Sequence, residues 1–339
     1  MKKLIFLFAG IVCFAAGLQA LGPKEDKDEV LVIYAYDSFV SEWGLGPQVI
    51  PVFEEKYGIK VDLQSAGDAQ QVAQKAYLEK DNPIADVLIG MDNNMLKDVL
   101  EMDILDAYSP LGIEKIDPAL VLDPGMKIIP FDYGYFAIIY DSGKIANPPK
   151  SLDDLLKPEF KDSLIVMDPR TSSPGLGLFL WTIKSYGDDY LDYWKKLDNT
   201  LLTITEGWSS GYGLFTSGEA PMVLSYSTSP PYHVEYEGTD RYKAAVFDDG
   251  QYMQIEGAGI VKGCDMPEAA RKFMDFVLSK DFQQHVALCN WMYPVNSEVE
   301  LPKSFDAAPK PGVSLLLEEG EMPAPLEDCL SDWVSVVGS

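Results

Sequence analysis

From Val30 onward the chain alternates short apolar runs with amphipathic stretches, and this alternation limits the possible folds more than any other feature. Val30–Tyr36, Ile59–Leu63 and Asp86–Gly90 have the length and apolar content of strands, the last centred on Val87-Leu88-Ile89. Between them lie helical patterns. Gly44-Leu45-Gly46-Pro47 opens one with proline near its first turn, and Val49, Ile50, Val52 and Phe53 fit its buried face. Ala69–Leu78 is a second, with Asp68 as its cap, and Asn94–Leu100 a third. The order βαβαβα predicts an α/β fold, a sheet covered by helices.

Ile128–Tyr140 breaks the pattern. It is almost continuously apolar and aromatic without a helical face, which predicts one or two long strands. Asn147-Pro148-Pro149-Lys150 reads as a loop, and Ser151-Leu152-Asp153-Asp154 as a capped helix start. A second series follows: strands Leu164–Met167, Leu201–Thr205 and Met222–Ser225, with helices Leu176–Tyr186, Asp189–Leu197 and Ser209–Ser217. Ala244–Phe247 and Ile255–Val261 are further strands, and Pro267–Leu278 and Asp281–Leu288 further helices. The last forty residues, rich in proline, are expected to be mostly irregular. A length of 339 residues fits two domains. Sites in such sheets lie off the carboxyl ends of strands, often at a domain boundary.

Residues 1–20 have the form of a Sec-type signal peptide. Met1-Lys2-Lys3 is positive, Leu4–Leu18 is apolar and too short for a comfortable membrane span, and Leu18-Gln19-Ala20 ends on a small residue. Export to the periplasm by a cleaved signal is therefore expected. Export permits disulfides, but Cys264, Cys289 and Cys329 are widely spaced, with no C-x-x-C, so a zinc site is not expected. With 53 Asp and Glu against 27 Lys and Arg, the net charge is −26. A nucleic-acid backbone would be repelled, and no basic patch offsets that field.

Catalytic signatures are scarce. G-x-S-x-G, H-E-x-x-H, the Walker A pattern and G-x-G-x-x-G do not occur, so no catalytic residue and no metal ligand is assigned. Of two histidines, His285 falls in a helical pattern and reads as a packing or surface residue. His233 follows Pro230-Pro231-Tyr232 in a loop and is a candidate neighbour of a site. Aromatic residues are more informative. Tyr36 to Phe39 with Trp43, Trp208 after Gly207, Tyr226 to Tyr232, and Trp291 to Tyr293 all sit beside Gly, Pro or Ser at strand ends or helix starts. Each alone reads more readily as a core residue, since Trp and Tyr are usually well buried. Together, in an acidic chain, they favour a flat, positively charged organic ligand, since aromatic faces stack on heterocycles and attract cations. Asp168 to Gly175 precedes a helix, with Ser173 as a cap and Pro174 in the first turn. Its N–H groups and hydroxyls suit either plain capping or an anion. Asp68-Ala69 holds the equivalent place in the first half.

Longer blocks carry a resemblance. Gly90-Met91-Asp92-Asn93-Asn94, Pro130-Phe131-Asp132-Tyr133-Gly134-Tyr135-Phe136-Ala137, Asp168-Pro169-Arg170-Thr171-Ser172-Ser173-Pro174-Gly175-Leu176-Gly177 and Leu224-Ser225-Tyr226 occur in order, between Tyr36-Asp37-Ser38-Phe39 and Asn290-Trp291-Met292-Tyr293-Pro294. In these blocks the chain resembles the periplasmic thiamine-binding proteins of ABC importers. The resemblance implies a two-lobed α/β periplasmic binding protein fold, type II-like, with the ligand cleft between lobes. The lobes expected are 29–134 with 251–339, and 135–250.

It further implies capture of thiamine, thiamine monophosphate or thiamine diphosphate without chemistry on the ligand, no cofactor, and delivery to a permease driven by a cytoplasmic ATPase. A monomer is expected. Ring-binding aromatics of the family match Tyr36, Trp43, Trp208, Tyr226, Tyr232 and Trp291. Its phosphate-end contacts match Asp68, Ala69, Ser172 and Ser173, with Ala69 in place of Gly and Ser173 in place of Thr. Two alternatives remain at this level. A ferric-iron or polyamine receptor of the same fold would use tyrosines such as Tyr226 and Tyr232. A secreted hydrolase would use a carboxylate pair.

Overall fold

A computed structural model describes residues 30–318 and 320–337. The signal peptide expected at residues 1–20 lies outside them. The chain opens with β1 (Val30–Ala35), a short α1 (Asp37–Val40), α2 (Leu45–Tyr57), β2 (Lys60–Ser65), α3 (Ala69–Leu78), β3 (Val87–Asp92), α4 (Leu96–Glu101) and β4 (Leu105–Asp106). After β5 (Ile129–Asp141) come β6 (Leu164–Met167), α5 (Ser173–Tyr186), α6 (Tyr190–Leu197), β7 (Leu201–Thr205), α7 (Trp208–Thr216), β8 (Met222–Tyr226), α8 (Pro230–Tyr236) and β9 (Tyr242–Ala245). The chain then runs through β10 (Gln251–Val261), α9 (Pro267–Val277), α10 (Lys280–Cys289), β11 (Tyr293–Pro294), β12 (Ser314–Leu315) and α11 (Leu326–Val336).

Eight strands form one path in the order β2-β1-β3-β10-β5-β8-β6-β7, and off it β4 and β12 pair with β10, β9 and β11 with β5. β1 runs parallel to β2 and β3, and β6 parallel to β7 and β8, as the strand–helix alternation requires. β5 joins the two halves. Its first residues pair antiparallel with β10, and Phe136–Tyr140 pair antiparallel with β8. The apolar run is thus a single strand of 13 residues, long enough at about 3.3 Å per residue to serve two cores. One core lies around Ile33, Phe53, Phe131 and Phe273, the other around Phe136, Phe179, Trp181 and Trp194. Each fully buried aromatic or aliphatic side chain contributes about 1.5–3 kcal/mol, so each half holds a core of its own. Among the described residues no helix is long and apolar enough to cross a membrane.

Local signals explain most boundaries. Asp68 caps α3 in a capping box with Gln71, and α2 stops at Gly58 in the left-handed conformation. Four expectations need correction. Residues 151–157 form only a 3-10 turn over Asp153–Leu156, because Pro158 bars the preceding residue from continuing a helix. His233 lies in a helix, α8, since Pro230 and Pro231 occupy its first turn, where no N–H is required. The strand expected at Ala244–Phe247 spans Tyr242–Ala245 instead. The tail is not irregular throughout. α11 begins directly after Pro325, and Cys329 and Trp333, one turn apart, are both buried. That helix belongs to the second core, with Trp333 edge-on to Trp194 at 5.5 Å. The boundary 251–339 therefore does not follow the packing of its last residues.

The Tyr36 ring lies directly against β3, and Gly90 makes room for it. Gly90 has φ +106°, and a Cβ there would collide with the ring. Gly58, at φ +68°, has open space around it. Gly58→Ala is expected to cost about 1 kcal/mol in denaturant unfolding, and Gly90→Ala about 3 kcal/mol or more. Equal costs would show that the ring is free to move away.

Candidate ligand-binding cleft

Between the two cores lies a cavity of about 730 Å³. Its walls are the residues after β1, the starts of α3, α5 and α7, the segment from β8 into α8, the middle of β10, and the chain just beyond α10. These are mostly carboxyl ends of strands and amino ends of helices, where backbone N–H groups and side chains point out of the layers.

Tyr36, Trp43, Trp208, Tyr226, Tyr232 and Trp291 all line this cavity. Several are held by bonds of their own. Trp208, the first residue of α7, stacks on Tyr212 one turn on, with centroids 4.9 Å apart, and its indole N–H donates to Ser225 Oγ at 2.8 Å. The Tyr226 hydroxyl donates to Gln254 Oε1 at 2.6 Å, and its ring rests against Phe136. Tyr232 meets Trp291 edge-on at 5.3 Å. Trp43 stands at the mouth, 56% exposed. Trp291 follows the end of α10 with φ +55°, a position that glycine ordinarily fills. Holding an indole there costs on the order of 1–2 kcal/mol of backbone energy.

At one corner three helices point their amino ends at a single carboxyl. Asp68 accepts from the N–H of Ala69 at 2.7 Å, and also from the N–H groups of Ser173 and Trp208 across the cleft. Those are the first residues of α3, α5 and α7. Burial pushes the Asp68 carboxyl up to about 6, against the opposing pull of its three donors. Gly207 permits the approach, since a Cβ there would lie 2.7 Å from Asp68 Oδ2. Gln70 adds a second link, donating to the carbonyls of Pro169 and Ser172.

The expected cap by Ser173 is not formed. The helix starts at Ser173, Ser172 takes the cap position without a side-chain bond, and the Ser173 hydroxyl donates to Asp92 Oδ2 at 2.7 Å. Ala69 and Ser173 line the cavity. Ser172 lies behind it, fully buried, with a hydroxyl that meets no partner.

The floor consists of side chains that the sequence did not single out. Glu256 is the register partner of Asp92 on β3 and of Asp132 on β5, so three acids stand in a row across three strands. A bulge at Glu256/Gly257 re-aims the strand at this point. Tyr36 donates to Glu256 at 2.8 Å and Asn290 to Asp132 at 2.6 Å, while Gln254 bonds Asp92 at 2.7 Å. Burial raises both Glu256 and Asp132, helped at Glu256, which reaches about 8, by repulsion from Asp92, and at Asp132 by repulsion from Glu256. In sequence, Asp132 and Glu256 each fall inside an apolar strand segment, whereas Asp92 lies just past the expected end of its strand.

His233 sits behind the aromatic wall, with Nε2 2.8 Å from the Tyr212 hydroxyl and Nδ1 2.8 Å from Glu237; burial lowers its pKa. His285 is partly buried in α10. Cys264, Cys289 and Cys329 are free thiols, and Cys289 borders the cavity. Among the described residues that line it are five carboxylates (Asp37, Asp68, Glu206, Glu237 and Glu256) and no Lys, Arg or His. Such a cavity favours a cation with flat faces and opposes an anion, except at the helix ends.

Known proteins are similar to this chain in sequence and fold. The family described as bacterial extracellular solute-binding protein matches residues 82–312. A thiamine-binding periplasmic protein of Brucella abortus is 41% identical over 321 residues, 93% of this chain and 94% of its own. One from Escherichia coli is 41% identical over 312 residues, 91% and 93% of the two chains. A solved periplasmic thiamin binding protein is 39% identical, covers 91% of this chain and 96% of its own, and superposes with a TM-score of 0.85. The chain belongs to the bacterial extracellular solute-binding protein family, on the branch that holds the thiamine-binding periplasmic proteins.

Proposed function

We propose that this protein captures thiamine in the periplasm and hands it, unaltered, to an ABC permease. The observation that carries this reading is the cavity itself, walled by tryptophan and tyrosine and lined by five carboxylates with no basic side chain among its described residues. Thiamine offers two flat rings, one of them a cation, and each aromatic contact of that kind is worth about 0.5–2 kcal/mol. Kinship with proteins named for thiamine binding supports the same ligand. The ferric alternative is disfavoured because the Tyr226 hydroxyl is already committed to Gln254. A hydrolase is disfavoured by the family, whose members bind solutes. The protein works as a monomer whose lobes close on the ligand, and a ligand favours closure only by binding that form better.

Phosphate esters of thiamine are a further part of this proposal. Their arm would reach the corner where α3, α5 and α7 begin, near Ala69 and Ser173. The Asp68 carboxylate already occupies those N–H groups, so an ester must displace it or meet it protonated.

Tryptophan emission during titration with thiamine, its monophosphate and its diphosphate tests the reading directly. Absence of any response to all three would refute it. Trp208→Ala is expected to weaken thiamine binding by about 1–3 kcal/mol, the scale of a lost stack. Trp291→Ala and Trp291→Gly should weaken it alike, yet the glycine variant should unfold with about 1 kcal/mol more stability, because it relieves the positive φ. If the two unfold identically, the backbone at 291 is unstrained. Asp68→Asn should shift preference toward the monophosphate by about tenfold, one charge repulsion at close range. Lowering the pH below about 6, where Asp68 takes up a proton, should move the native protein the same way. An unchanged ratio in both tests would place the phosphate elsewhere.

A further inference from the structure

Three acids side by side on neighbouring strands are an unusual arrangement for a sheet, since like charges directly opposite each other destabilise it. Asp92, Glu256 and Asp132 stand in register on β3, β10 and β5, and all three are buried. They are not equally provided for. Asp92 accepts from the Ser173 hydroxyl, the Gln254 amide and the backbone N–H groups of Asn94 and Met95. Glu256 accepts from Tyr36 at 2.8 Å and, at the longer distances of 3.4 and 3.5 Å, from Gln254 and Asn290. Asp132 receives only Asn290 on Oδ2, and its Oδ1 is buried without a donor. Asp132 and Glu256 are also within hydrogen-bonding reach of each other. Two carboxyls that touch, one with an oxygen lacking any donor, are satisfied if a proton lies between them.

The pair lies at the cleft and not in the depth of a lobe, because Glu256 forms part of the cavity wall. The other ionisable groups that act on it are Tyr36 from the segment after β1, Asp92 from β3 and Tyr226 from β8, while Asp68 from the start of α3 and Cys289 at the end of α10 line the same cavity. None of them carries a positive charge. Nothing among these neighbours neutralises a second carboxylate in the empty protein, whereas a bound cation would.

We propose that the Asp132–Glu256 pair is the charge-recognition subsite of the cleft, and that binding an organic cation there expels the proton the two carboxyls share. This rests on the ligand proposed above. The proton passes from the carboxyl pair to solvent, no covalent bond to the ligand is made or broken, and the second carboxylate charge is left facing the cation. Burial pushes Glu256 up to about 8, which sets the range over which the exchange is visible. Below that value the free protein holds the proton and the complex has lost it, so affinity rises with pH. Above it the proton is already gone and affinity levels off.

The test is a calorimetric titration of the whole protein with thiamine near neutral pH, in phosphate and in Tris, whose ionisation heats differ. The apparent enthalpies are expected to differ by the heat of nearly one proton taken up by the buffer. Between about pH 6 and pH 8 the affinity should rise by up to about tenfold per unit. Glu256→Gln should bind more weakly while losing both the buffer dependence and the pH dependence. Asp132→Asn serves the same purpose should the first variant not fold. Equal enthalpies in the two buffers, or uptake of a proton, would overturn the proposal even if thiamine binds tightly. A complete lack of thiamine binding would instead refute the ligand assignment, and the two failures are distinguishable.

Discussion

Backbone pairing along β5 is the constraint on which the rest of the structure depends. One half of the strand bonds to β10 and the other to β8, so two cores with separate apolar clusters share a single stretch of chain. Separation of the cores leaves a cavity between them, and the shared strand fixes where its floor must be. Asp132 is on that strand, and register alone brings Glu256 and then Asp92 beside it. A slip of one residue would turn the row of acids to the opposite face of the sheet.

Above this floor the walls are largely positioned before any ligand arrives. The Trp208 indole is fixed by Tyr212 beneath it and Ser225 at its edge, and the Tyr36 ring by Gly90 and Glu256. Fixed rings lose little freedom on binding, which favours affinity. The corner at Asp68 works differently. There one carboxyl draws the amino ends of helices from both sides, so the two halves hold together through a group that is itself close to its titration point.

Much of the architecture was legible because its determinants are local. The helix Ala69–Leu78 and the strands Leu164–Met167 and Leu201–Thr205 fall where their caps and apolar runs predicted. The aromatics beside glycine or proline at element ends do line the cavity, although each alone was compatible with a place in a core, and only their number pointed to a shared surface. The acids were not legible as a group. Glu256 is one of 53 Asp and Glu residues, and its place in an apolar strand segment says nothing of the acids it meets. Its partners come from strands far away along the chain, and only the pairing reveals them. Ser173 and Asp68 were noticed as separate helix caps, but their convergence depends on how the two halves sit together. The helix α11 was hidden by the prolines before it, although Cys329 and Trp333 carry the spacing of one buried face.

That last helix bears on how the molecule assembles. Trp333 fills a place against Trp194, so the second core lacks part of its interior until α11 has docked. A polypeptide that stops short of Trp333 leaves one edge of Trp194 uncovered, so the interior of the second half is completed by packing of α11 and not by its sheet alone.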